Sequence, residues 1–339
     1  MSAWSFSFFP ASENDKPDGK RVEQIIQPIC LYAAVVSVPH SLNWVGYALL
    51  SSASFAIMAG CVRVASESLP QSEVVFFRNF MALLLLLPLL RHRRVSLATG
   101  KFGLHLMRAA AGLGAMYLYF YAIAHLPLAD AILLNYTAPL FITLIAVAWL
   151  KEKVTRLQII TLIVGLLGVV LLFSPSSAAA SMAGILGLAS GALAGLALAT
   201  VKKLSDTEPA LRIVVIFALL ASVMSALPMI WHFQWPDHRQ WAWLIAVGLT
   251  GSLGQLGLTR AYGMAPASRV SPMGYTSLLF AGVIGFAIWG ELPDGLGLAG
   301  TLAIVAASVV VARERTEPAP EPPSAVPIYT GRPEETPRG

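Results

Sequence analysis

Residues 122–152 read AIAHLPLADAILLNYTAPLFITLIAVAWLKE, and residues 261–291 read AYGMAPASRVSPMGYTSLLFAGVIGFAIWGE. Laid over each other without a gap, the stretches agree at Ala122/Ala261, Pro127/Pro266, Tyr136/Tyr275, Thr137/Thr276, Leu140/Leu279, Phe141/Phe280, Ile145/Ile284 and Glu152/Glu291. A segment that recurs at a fixed offset says that the chain is two copies of one structural unit.

The surroundings decide what kind of unit. The chain has 339 residues, of which 56% are hydrophobic and only 12% charged, with a mean hydropathy of +0.69. Ordinary soluble domains carry roughly 25% charged residues. From Leu157 to Val201 there is no Asp, Glu, Lys or Arg. Uncharged apolar runs of about 20 residues are what a bilayer core requires. A soluble globule is excluded. Lipid satisfies no backbone polar group, so spans are helices or a closed barrel. The runs are long and lack period-2 alternation, which predicts an all-α integral membrane protein whose partner is the lipid bilayer.

Ten transmembrane helices are expected, at 43–62, 72–90, 104–124, 130–150, 157–173, 183–201, 211–231, 241–259, 269–289 and 295–312. Turn chemistry separates them at Leu126-Pro127, Ser174-Pro175, Trp235-Pro236-Asp237 and Leu292-Pro293-Asp294-Gly295. Lys and Arg concentrate in cytoplasmic loops. With both termini cytoplasmic, those loops hold Arg91, Arg93, Arg94, Lys101, Lys151, Lys153, Arg156, Lys202, Lys203, Arg212, Arg260, Arg269, Arg313 and Arg315, against Arg63 and Arg239 outside. Each half has five spans, an odd number, so the second copy is inverted relative to the first. Glu152 then closes its span inside and Glu291 outside. Inverted repeats are the scaffold that secondary transporters use for alternating access.

The ends differ. Residues 1–42 hold one short apolar stretch, 25–38, and read as an interfacial or disordered extension rather than an eleventh span or a signal-peptide core. Residues 316–339 are rich in Pro and Glu and read as a disordered cytoplasmic tail. The net charge of +5 follows from the loops and does not point to nucleic acid. Cys30 and Cys61 are far apart, with no metal or disulfide framework.

The five-span unit, with A-x4-P, YT-x2-LF and a Glu near the end of its fourth span, resembles the EamA-type repeat of the drug/metabolite transporter superfamily. Phe76-Phe77-Arg78-Asn79, 126–136 and 151–155 carry the resemblance in the first half, and 261–275 with 290–293 in the second. It covers about residues 43–312. It implies a first EamA repeat at 43–175, a second at 181–312, and a permease of the inner membrane that moves a small-molecule metabolite. Members resembling this chain include importers of S-adenosylmethionine and of riboflavin, which slightly favours import. Exporters of amino acids and other metabolites share the superfamily. Arg269 stands opposite Asp130 in the overlay, so the two halves are not chemically symmetric.

Several residues are candidates for the cavity. Tyr136 and Thr137 lie five to six residues into their span from one face, and Tyr275 and Thr276 equally deep from the other. At 1.5 Å per residue each pair sits roughly 8 Å inside its own interface. They either line a central cavity or hydrogen-bond between helices. Arg78 is the deepest charge in this reading. A charge in a span is costly and marks function by default, although a long side chain can also snorkel to the headgroups. Facing the cavity, it favours an anionic or carboxylate-bearing substrate. Asn79, Asn135 and Gln255 are further polar candidates, with helix-to-helix bonding as their other role. Tyr117 and Tyr121, one turn apart, either stack a planar ring or pack at the membrane interface. Glycines at 187, 191 and 195, and at 248, 251, 254 and 257, predict close helix approach.

There is no phosphate-binding loop of the G-x4-G-K-[ST] type, the six histidines are scattered, and no carboxylate lies near the centre of a span. No cofactor, metal or enzymatic chemistry is expected. The expected function is secondary transport, with a channel or a structural membrane protein as the alternative. Both halves sit in one chain, so a monomer suffices, and a homodimer remains compatible.

Overall fold

The computed structural model describes residues 43–126, 128–173, 181–231, 233–289 and 295–314. The expected extension at 1–42, the tail at 316–339, Cys30, Pro127, Glu291 and the turns at Pro175 and Pro293 lie outside them. The described residues are helical and include no strand. In chain order they form α1 (Trp44–Ala65), α2 (Gln71–His92), α3 (Phe102–His125), α4 (Leu128–Asn135), α5 (Ala138–Ile145), a π-helical turn (Ala146–Leu150), α6 (Arg156–Phe173), α7 (Met182–Ser205), α8 (Ala210–Ile230), α9 (His238–Met264), α10 (Ala267–Val270), a 3-10 turn (Ser271–Tyr275), α11 (Thr276–Trp289) and α12 (Gly295–Arg313). Among the described residues, seven stretches are long and apolar enough to cross a membrane: α1, α2, α7, α8, α9, α12 and residues 131–150.

Local chemistry sets the helix starts. Asn43 caps α1 by accepting from the Gly46 N–H at 2.9 Å. Ser181 caps α7 through the Gly184 N–H. Asp237 and Gln240 form a reciprocal capping box at the start of α9, at 2.8 and 2.7 Å, which satisfies two otherwise orphan donors. Buried hydroxyls inside the helices turn back on their own chain. Ser222, Ser225 and Ser252 each donate to the carbonyl four residues earlier at 2.6 Å. These three hydroxyls are thereby satisfied without water.

Two of the predicted spans are broken, and at matching places. The fourth is interrupted between α4 and α5 at Tyr136-Thr137, and the ninth becomes a 3-10 turn from Ser271 to Tyr275. The cause is proline. Pro139 and Pro272 cannot donate, and each ring crowds the carbonyl four residues back, at Asn135 and Ser268. Helices broken inside a membrane protein are tolerated where they are buried in protein or line a cavity.

Helix pairing also repeats between the halves. α1 packs along α9 and α11, and α7 packs along α3 and the α4–α5 pair, while α2 pairs with α8 and α6 with α12. A two-fold exchange of the halves leaves this pattern unchanged. The glycines of α7 bring the broken span close. A Cβ on Gly191 would collide with Thr137 Oγ1 and stand 2.7 Å from the Leu134 carbonyl. One on Gly195 would stand 2.7 Å from Phe141 Cβ and 2.9 Å from the Ile142 nitrogen. The outer surface is apolar, with Leu144, Ile185, Val223 and Leu302 all more than half exposed. Such a surface suits lipid and not water.

Replacing Gly195 by leucine therefore overpacks a contact made against backbone. We expect a loss of about 1–3 kcal/mol and a lower thermal midpoint for the purified protein in detergent. Ile185→Leu, on the outward face of the same helix, serves as the control and leaves the midpoint unchanged.

Candidate functional site

A cavity of about 360 Å³ lies at the centre of the bundle, where both broken spans meet α1, α3, α7 and α9. Its walls carry Phe55, Met116, Tyr119 and Phe217, and its polar groups are Ser51, Ser52, Arg78, Arg108, Asn135, Tyr136, Gln255, Ser271 and Ser277. No Asp or Glu among the described residues lines it.

Arg78 of α2 is 8% exposed. Its Nε donates to Met58 Sδ at 3.2 Å, a weak acceptor. Arg108 of α3 is 3% exposed. Its guanidinium lies 3.9 Å over the Phe217 ring, its Nη2 donates to Gln255 Oε1 at 2.7 Å, and its Nε has no partner among the described residues. Asn135 donates to Ser190 Oγ at 3.2 Å, and Tyr136 shares a 2.8 Å hydrogen bond with Ser277.

Tyr136 and Tyr275, counterparts in the overlay, stack on each other with ring centroids 6.3 Å apart. Equivalent residues that touch must lie close to the axis that exchanges the halves. Tyr275 is fully buried in a slot left by Gly165, where a Cβ would stand 2.6 Å from the ring. Its hydroxyl finds no partner among the described residues.

Of the sequence candidates, Arg78, Asn135, Tyr136 and Gln255 come together on the cavity. The others do not line it. Thr137 bonds the Leu134 carbonyl at 2.6 Å and faces Gly191. Thr276 is buried and bonds the Met273 carbonyl. Asn79 donates to the Val75 carbonyl at 2.8 Å. Tyr117 has a buried, unpartnered hydroxyl away from the cavity. Tyr121 is 42% exposed and stacks on His125 at 4.0 Å. The sequence reading missed Arg108, a lone cation set among apolar residues seven positions into α3. Its signal was the same intramembrane cost that singled out Arg78.

The cavity floor is Ala48, Tyr262 and Val270. These belong to an apolar cluster with Tyr47, Ile142, Ala146, Ala199 and Met273. Beyond it lies the end of the bundle where the basic loops gather, and hydrogen bonds tie the halves together there. The Glu152 carboxylate accepts from the Ala267 and Ser268 N–H groups at 2.7 and 3.1 Å, capping α10 with a residue from the other repeat. Glu314 accepts from Thr155 and Gln158 at 2.7 and 2.9 Å, and its carbonyl accepts from Arg269. Glu208, in the connection between α7 and α8, accepts from Thr99 and sits 2.7 Å from Nε2 of the fully buried His105. Burial pushes the Glu208 carboxyl up, but the bonds from Thr99 and His105 and the nearby His105 and Arg212 outweigh it and hold the carboxyl below the usual range.

The chain carries its family twice. The model of the EamA-like transporter family matches residues 42–174 and again residues 181–313. The chain belongs to the EamA-like transporter family. It is a multi-pass membrane transporter of the drug/metabolite transporter superfamily, a family that handles small metabolites from within the lipid bilayer. A pseudopaline exporter of Pseudomonas aeruginosa is 35% identical over 79% of this chain and 95% of its own length. A riboflavin transporter of Vibrio cholerae is 28% identical over 82% of this chain and 95% of its own. A solved crystal structure aligns with a TM-score of 0.67 at 18% identity, over 79% of this chain and 94% of that one, a likeness of fold alone.

Two outcomes follow from this geometry. Tyr136→Phe removes a hydrogen bond between the halves, worth about 1 kcal/mol, whereas Tyr275→Phe removes only an unpartnered hydroxyl. Thermal melts should show a lower midpoint for the first and an equal or higher one for the second. The depressed Glu208 carboxyl contributes stability that is present above the ordinary carboxylate range and is lost as pH falls through its lowered value. Glu208→Gln should therefore lower the midpoint at pH 7 and at pH 5.5 alike, and the gap to the parent should close only in stronger acid.

Proposed function

We propose that the protein is a secondary carrier that moves one small metabolite by alternating access of the central cavity between two inverted five-helix repeats, 43–175 and 181–312. The observation that carries the reading is the cavity itself, enclosed where the broken fourth and ninth spans of the two repeats meet. Carriers place their sites at such repeat interfaces, on discontinuous helices. On this reading ten helices cross the inner membrane, with both termini cytoplasmic. Three of them, α3, α6 and the α10–α11 stretch, are kept in place by packing rather than by apolarity alone. The basic end is then cytoplasmic, and the cluster around Tyr47 and Tyr262 is the closed inner gate. Arg78, Asn135, Tyr136 and Gln255 contact the substrate directly. Asn79, Tyr117, Tyr121, Thr137, Tyr275 and Thr276 support the gate helices. A monomer holds a complete pathway.

Export is the direction we favour, on the 35% identity to the pseudopaline exporter. Import, the direction suggested by the resemblance to riboflavin and S-adenosylmethionine importers, is the second reading and rests on the 28% identity to the riboflavin transporter. Mass spectrometry of cytosol and medium separates them. Cells that overexpress the protein should enrich one compound in the medium relative to cells that lack it. Enrichment in the cytosol instead would mean import. In proteoliposomes flux of that compound should saturate and be accelerated by the same compound on the far side. Flux that rises linearly without counterflow would mean a channel and would overturn the carrier reading.

A further inference from the structure

We infer that Arg78 and Arg108 form a two-pronged anion grip, so that the carrier's substrate is a small organic anion whose carboxylate or phosphate group enters between them. The inference rests on the carrier reading and adds the substrate class to it.

Both guanidiniums line the same cavity, are nine-tenths or more buried, and have no carboxylate partner among the described residues. A cation withdrawn from water costs several kcal/mol unless it is compensated. Structural arginines in such places are paired. These two have only a thioether, one amide oxygen and one aromatic face, all neutral. The missing negative charge is supplied by something that enters the cavity.

Their spacing defines it further. Arg78 Nε stands 3.7 Å from the position a Cβ on Gly251 would take, and Arg108 bonds Gln255. Gly251 and Gln255 are four residues apart on one face of α9, so the two prongs meet that helix about 6 Å apart along its axis. Forks that close together can both reach one carboxylate or phosphate group. Phe217 fixes the plane of the Arg108 guanidinium. The unpartnered Arg108 Nε is a donor still to be satisfied. Guanidinium forks bind carboxylate and phosphate with paired hydrogen bonds. Phe55 and Met116 add apolar wall, which suits the carbon skeleton of such an anion.

The test uses the purified full-length protein in detergent and in proteoliposomes. Tricarballylate and citrate probe the carboxylate arm, glycerol 3-phosphate and glucose 6-phosphate the phosphate arm, and riboflavin and spermidine serve as neutral and cationic controls. Binding is read by thermal shift and by competition with the compound that the metabolite comparison identifies. Members of one anionic arm should stabilise the protein and compete, and the arm that does so names the group. Arg78→Met and Arg108→Met should each weaken anion binding at least tenfold. Each should also raise the thermal midpoint of the empty protein, because an uncompensated buried charge is removed. Arg78→Lys should keep part of the binding. A merely structural arginine would give the reverse: a lower midpoint and unchanged anion binding. That result, or saturable transport of a neutral or cationic compound unaffected by either anionic arm, overturns the anion grip and leaves the carrier standing. Linear, non-saturating flux fails the carrier reading instead.

Discussion

The stacking of Tyr136 on Tyr275 joins the two repeats through their own equivalent residues, and the centre of the molecule is organised around it. For those rings to meet, both spans must be broken beside them, and Pro139 and Pro272 break them. A broken span exposes carbonyls, so it must be packed tightly by a neighbour that brings no side chain. Gly191 and Gly195 of α7 do this for the first break. Gly165 does the equivalent for Tyr275 from the other direction. The cavity is what remains when two interrupted helices are held against smooth faces and cannot close over each other.

The same junction explains why the two ends of the cavity differ. Toward the basic end the repeats are locked by carboxylates that cross between them. Glu152 caps a helix of the other copy, Glu314 gathers Thr155, Gln158 and Arg269, and Glu208 holds Thr99 and His105. These bonds join side chains that can exchange protein partners for water at modest cost. A junction built this way is firm when assembled, and its polar groups keep alternative partners.

Most of the architecture was legible because a membrane simplifies the code. Apolar run length located the helices, and the repeated YT-x2-LF segment marked the pair of helices that meet at the centre. The breaks were less visible. Residues 130–150 and 269–289 are mostly apolar, and run length does not register a single proline within them, although Pro139 and Pro272 carried the signal. The site was legible only in part. Intramembrane cost pointed to Arg78 and the repeat to Tyr136, but one-dimensional depth cannot tell which face of a helix looks inward. Thr137 and Thr276 are as deep as the tyrosines and turn back on their own backbones. Tyr117 and Tyr121 lie on the helix that carries Arg108, yet neither reaches the cavity. Glu152 read as the end of a span because its partner, the start of α10, is 115 residues away.

On the carrier reading proposed above, buried charge bears on the direction of flow. A cavity lined by two arginines and, among the described residues, no acid holds its strongest positive potential when empty, and an anion that filled it would relieve that potential. The pair is therefore a poor structural element and a good recognition element, since the stability lost to desolvation is recovered only on binding. Substrate charge then couples the cycle to the membrane potential. Moving one elementary charge across 100 mV is worth about 2.3 kcal/mol, and with the interior negative that work favours the exit of an anion. On that reading, expulsion of an anion needs no coupling ion, which agrees with a cavity lined by no acid among the described residues. Uptake of the same anion would work against the potential, and no described residue of the cavity lining offers an acidic ligand for a co-transported cation.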